Sequence, residues 1–240
     1  NQISNYLQNI ILDFYKSQAK NSTQSYNVTP EIRMLYNPQL KGAPNFVPGV
    51  MALILLIVCV MMTAIAIVKE KETGTMEILL VSPMKPSFVI IAKAVPYFIL
   101  SMLIVLVILI LSYFLLDLPI KGSLILLLFV STIFILTNLL IGILISIFVK
   151  TQQQAMLISL IATMLPTLML SGFMFPIENM PIPLQVVSNI IPAKWYYIMI
   201  KNIMIKGTGI VIIWKPFLVL FGMMIVLFAI AVKKFKIRLE

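Results

Sequence analysis

The sequence predicts an all-α polytopic membrane protein, and two observations carry that prediction. Hydrophobic residues make up 61% of the 240 and charged residues only 11%, where soluble domains carry about 25% charge. The mean hydropathy is accordingly +1.06. Five apolar runs, at about 47–68, 88–116, 122–149, 155–175 and 209–232, each supply the roughly 20 residues that a helix needs to cross a hydrocarbon core. All are rich in Leu, Ile, Val and Met, and none alternates as a membrane β-strand does.

Each element can be justified in chain order. Residues 1–46 are polar, with Asn, Ser, Gln and Tyr prominent. Ile3, Leu7, Ile10, Ile11 and Phe14 recur at helical spacing, whereas Val28, Ile32, Met34 and Tyr36 fall at even spacings that predict a strand. This segment reads as the C-terminal part of an extracytoplasmic α+β domain, and 47–240 as the membrane domain. The sequons at Asn21 and Asn27 are short matches of the kind that arise by chance.

The first span, 47–68, runs into the charged stretch 69–86, where Glu70, Glu72 and Glu77 alternate with Lys69, Lys71 and Lys85. A threonine there can cap a new helix and Glu77 favours its first turn, so "MEILLVS" predicts a short amphipathic surface helix that Pro83 stops. The second span, 88–116, and the third, 122–149, are separated by the tight turn "DLPIK". "KTQQQ" makes a second tight turn before the fourth span, 155–175.

Residues 176–208 carry Pro176, Pro181, Pro183 and Pro192 between apolar pieces too short to cross, which predicts two short interfacial or re-entrant helices. Trp195, Tyr196 and Tyr197 form an aromatic cluster suited to headgroup level. The last span, 209–232, ends in "KKFKIRLE". That basic cluster predicts a cytoplasmic C-terminus, and five spans then put the N-terminal segment outside.

Several function classes are disfavoured by composition. The chain has no His and a single Cys, Cys59, so the commonest general base and metal ligand is missing and no thiolate cluster can form. The formal charge of +10 is scattered between apolar spans and not gathered into a solvated patch. Membrane lipid, not nucleic acid, is the expected counter-charge. The chain begins at Asn1 without Met or a signal-like segment, which predicts a piece with an unseen upstream part.

Three segments are distinctive. "EKETGTMEILLVSPMK" (70–85) resembles the ExExGTxExLxxxP segment that follows the second span in ABC transporter permeases of the type 2 export class, the multidrug-efflux-like permeases. "LSGFMFPIENMPIPLQVVSNIIPAKWY" (170–196) resembles a second hallmark of that class, and "LYNPQLKGAPNFVPG" (35–49) the join between its external domain and second span.

The resemblance implies a six-helix permease fold of which this chain holds the second to sixth spans. It also implies an ATPase-coupling segment containing Glu70, Glu72, Gly74, Thr75, Glu77 and Pro83, and an outer gate or re-entrant region containing Gly172, Phe173, Pro176, Pro181, Pro192 and Trp195. No GxxxxGK[ST] loop occurs, so ATP and Mg are expected on a partner ABC ATPase subunit and no cofactor on this chain. The implied protein is a non-enzymatic exporter subunit for lipophilic or amphipathic molecules in a bacterial cytoplasmic membrane. It would pair with a second copy or a paralogue, with a periplasmic membrane-fusion adaptor as a further expected partner. The alternative is a nucleotide-independent channel or assembly factor, and a P-loop ATPase encoded beside the chain discriminates between the two.

Single polar residues have plainer readings. Lys93, two turns inside the second span, is expected to snorkel to the interface. Thr137 and Asn138 are expected to hydrogen-bond between helices, and Thr163, Thr167 and Ser171 to serve packing.

Overall fold

The computed structural model describes residues 9–14, 17, 42–74 and 86–237, with side chains for 91–234 of the last stretch. The chain divides into two compact units, Asn1–Lys41 and Gly42–Glu240. In the first, residues 9–14 are helical and the Ser17 hydroxyl donates to the Phe14 carbonyl at 2.7 Å. The predicted strand at 28–36 lies outside the described residues, as does the predicted surface helix at 76–82.

Among the described residues the regular elements of the second unit are helical. They are α1 (Ala43–Glu72), α2 (Pro86–Leu116), α3 (Leu124–Phe148), α4 (Gln152–Ser159), α5 (Leu165–Leu170), α6 (Ile182–Ser188), α7 (Pro192–Lys201) and α8 (Ile210–Ile237). Among the described residues five stretches are long and apolar enough to cross a membrane: α1, Ile91–Leu116 of α2, α3, Gln152–Leu170 and Ile210–Lys234 of α8. The molecule is an all-α polytopic membrane protein, and no strand occurs among the described residues.

Helix α1 is the hub. Met51, Leu55 and Cys59 are fully buried at a four-residue spacing that keeps one side chain per turn on one face, and Val60 is fully buried beside them. That face packs on α3, where a Cβ added to Gly142 would lie 2.6 Å from the Val60 carbonyl oxygen. Small residues at such crossings let membrane helices approach closely enough for dispersion contacts to accumulate. Helix α3 starts where Ser123 caps the Leu126 N–H, and α4 where the Thr151 hydroxyl accepts from the Gln154 N–H.

The fourth span differs from the single helix predicted at 155–175. It begins at Gln152, widens into a π turn at Leu160–Met164 and ends at Leu170. Pro166 has no N–H to direct at the Ala162 carbonyl, and the widened register lies next to that gap. Gly172, at φ +83°, then turns the chain in a conformation that a side chain would strain.

The two short helices predicted within 176–208 are α6 and α7, and they have different surroundings. Ile182 and Val186 of α6 are exposed. Helix α7 is inserted against α1, α3 and α8, and Tyr196, Met199 and Ile200 are fully buried there.

Candidate functional site

Two clusters stand at opposite ends of the bundle, and the first is built on the last turn of α1. Glu70 forms an ion pair with Lys93 of α2, both side chains being less than a third exposed. The Lys71 ammonium donates to the Ser146 carbonyl in the last turn of α3. That carbonyl lies at a helix C-terminus, where a cation is favoured. Glu72 accepts twice from Gln152 at the start of α4, from its backbone N–H at 2.9 Å and from its side-chain amide. An anion at a helix N-terminus satisfies donors that have no intrahelical partner.

Three consecutive side chains on one helix end therefore reach three different helices. The helical sweep of about 100° per residue makes this possible, since residues 70, 71 and 72 point in three directions. Thr73 then closes α1, its hydroxyl donating to the Lys69 carbonyl at 3.0 Å, and Gly74 leaves the helix at φ +72°. Of the coupling residues that the sequence predicts, Glu70, Glu72 and Gly74 belong to this junction. Thr75, Glu77 and Pro83 lie outside the described residues.

The second cluster joins the opposite end. The Phe173 ring occupies the space that a Cβ on Gly49 would need. It also lies 5.7 Å from the Phe46 ring and 6.2 Å from the Tyr197 ring, centroid to centroid. Pro176 precedes a short 3₁₀ turn at Ile177–Asn179, Pro181 caps α6, and Pro192 opens α7. Trp195 donates its indole N–H to the Asn189 carbonyl at 2.9 Å, and the Lys194 ammonium stands 5.2 Å from its ring centroid. Lys194 donates to Ser188 at 2.9 Å and to Asn189 at 2.7 Å, while burial pushes its pKa below the ordinary lysine value. Of the six residues predicted for the gate region, Phe173 is wedged onto α1 at Gly49, Trp195 is tied to Asn189, and Gly172, Pro176, Pro181 and Pro192 shape the turns and helix starts around them.

Several expectations are corrected. Lys93 has a partner that its own span does not reveal, for it pairs with Glu70 in the last turn of the neighbouring helix. Thr137 and Asn138 donate within α3, to the carbonyls of Ile133 at 2.7 Å and Phe134 at 2.9 Å. Tyr196 is not an interface anchor. It is fully buried, stacked on Phe134 with centroids 4.0 Å apart and sharing a 2.8 Å hydrogen bond with Ser131. Tyr197 is 6% exposed, and of the three aromatics Trp195 alone reaches the partly exposed shell.

Sequence reasoning missed Gln152, Ser146 and Gly49 as partners. Gln152 had one available signal, its place directly after the helix-capping Thr151. Gly49 had none beyond its membership of the motif at 35–49.

A third feature is an apolar groove of about 470 Å³ between α2, α3 and α8, bounded by Ile91, Phe98, Leu136, Ile143, Met224 and Phe228.

Comparison with known proteins places the chain in a family. The family described as ABC-2 family transporter protein matches residues 1–233. The chain is 30% identical to "Probable multidrug ABC transporter permease YbhS" of Escherichia coli (strain K12), over 100% of the chain and 64% of the relative. It is 33% identical to "Probable multidrug ABC transporter permease YbhR" of the same organism, over 88% of the chain and 57% of the relative. It is also 26% identical to "ABC transporter G family member 20" of Dictyostelium discoideum, over 87% of the chain and 30% of the relative. The chain spans a little under two thirds of the length of these bacterial relatives. No solved structure matches it.

Proposed function

We propose a function that proceeds from one premise: the chain belongs to the ABC-2 family of transporter proteins. It is a permease subunit that couples ATP hydrolysis on a separate ABC ATPase to export of a lipophilic or amphipathic substrate. The ATPase, with its ATP and Mg, docks on the segment 69–86. The region 172–197 forms part of the outer gate, and a second copy or a paralogue completes the pathway. The protein resides in a bacterial cytoplasmic membrane with its C-terminus inside, and a periplasmic adaptor extends the route.

The observation that carries this reading is the junction at Glu70, Lys71 and Glu72. The motif-bearing segment leaves the membrane domain at the point where one helix end is joined to three neighbours. A displacement applied there is delivered to four spans at once, which a loosely attached loop could not do. The apolar lining of the groove between α2, α3 and α8 supports a lipophilic cargo.

The test is reconstitution of the full-length protein with the P-loop ATPase encoded beside it. We expect a stable complex whose ATP hydrolysis is stimulated by lipophilic compounds and which moves them across the bilayer. A permease that retains transport with no ATPase present refutes the reading and favours a channel.

A further inference from the structure

The two clusters involve the same pair of spans. Glu72, the last residue of α1, holds Gln152, the first residue of the fourth span, through both the backbone and the side-chain nitrogen. Phe173, just beyond the far end of the fourth span, is seated on Gly49 of α1. The first and fourth spans are therefore joined near both their ends. Between these joints α1 continues as α-helix from Gly49 to Glu72, with no proline in that stretch. The fourth span carries the π turn at Leu160–Met164 followed by Pro166, and no other of the five spans contains such a turn. When two rods are pinned at both ends and one has a soft segment, displacing one pin bends the soft rod.

We propose that Glu72 and Gln152 are positioning residues for transport. They form a lower tie that makes the fourth span follow α1 when the last turn of α1 is displaced, and the π turn takes up the bend so that motion emerges at Phe173 and the residues after it. This rests on the coupling reading above and assigns Glu72 a different partner within it: the carboxylate faces another span and not the ATPase. Glu70 and Lys71 join α2 and α3, but α3 has neither a π turn nor an internal proline and α2 has Pro96 without a π turn.

The experiment uses the full-length permease with its ATPase in lipid vesicles. Its readouts are export per ATP hydrolysed, retention of the ATPase on the purified complex, and nucleotide-dependent maleimide labelling of a cysteine placed at Asn179 in the outer region. Residue 179 is exposed and precedes α6.

Glu72→Ala is expected to lower export per ATP by about tenfold while the ATPase stays bound, a size within the range that coupling residues reach. The nucleotide-dependent change in labelling should disappear with it. Glu72→Gln keeps an acceptor for the Gln152 N–H and is expected to recover about half of the coupling. Gln152→Ala removes the side-chain donor alone and should lose about threefold.

Loss of the ATPase from the Glu72→Ala complex would show a direct contact and overturn the tie. Unchanged coupling and labelling in Glu72→Ala and Gln152→Ala together would overturn it as well. A wild-type complex that neither holds an ATPase nor exports with ATP refutes the coupling reading itself, which separates that failure from failure of the tie.

Discussion

At the Glu72 end of the bundle, a carboxylate and an ammonium reach across to neighbouring helix termini and a second carboxylate pairs with a lysine, whereas at the Phe173 end rings and glycines meet at van der Waals distance. The first kind of joint depends on a few atoms with stringent geometry, in a region where water can compete. The second depends on shape, and its energy is spread over many contacts. A joint of the first kind can be made and broken at small cost, and one of the second kind can only be moved as a block. The comparison teaches that stability should be most sensitive at the packed end, and communication between spans at the polar end.

That contrast can be broken by substitution. The largest expected effect is at Tyr196, the fully buried ring stacked on Phe134. Tyr196→Ala should destabilise by about 4 kcal/mol. Tyr196→Phe, which leaves the Ser131 hydroxyl its bond to the Leu127 carbonyl, should lose about 1 kcal/mol. Thermal unfolding in lipid nanodiscs measures both, and equal losses would show that packing is not what holds this end.

Next is Gly49→Leu, which must displace the Phe173 ring. A destabilisation of about 2 kcal/mol is expected, from overpacking. The companion change Phe173→Ala should relieve it, and a failure of that rescue in the same unfolding assay would remove the steric account.

The smallest effect is expected at the polar end. Lys93→Met and Glu70→Gln should each destabilise by about 1 kcal/mol, and the pair together by less than their sum, because both single changes remove the same ion pair. A strictly additive double mutant would mean that the two side chains do not interact in the membrane.

Much of this architecture was legible in the sequence because lipid is a demanding solvent. A spanning segment must be apolar and helical over a fixed length, so composition alone marks it. The short helices α6 and α7 were legible from their prolines for the same reason. What could not be read was lateral partnership. Lys93 and Glu70 are 23 residues apart in the chain and on different helices, and nothing in either segment announces the other. Tyr196 was misplaced because its neighbour Trp195 and the position near a proline suit an interface, while burial depends on how α7 inserts between three other helices. The π turn in the fourth span escaped because periodicity is insensitive to a single widened turn, although Pro166 marked where to look. At the candidate site the charged residues were identified, but their role in joining α1 to its neighbours depends on helix ends that converge only in three dimensions.

The pairing of Cys59 with Ser101 has a practical consequence. The sulfur lies 3.0 Å from the Ser101 hydroxyl, and the residue has no exposed surface. It is also the chain's single sulfhydryl. Within these 240 residues the bundle is therefore a silent background for thiol-directed reporters, and fluorophores or spin probes can be installed at chosen positions in it without first rebuilding its centre.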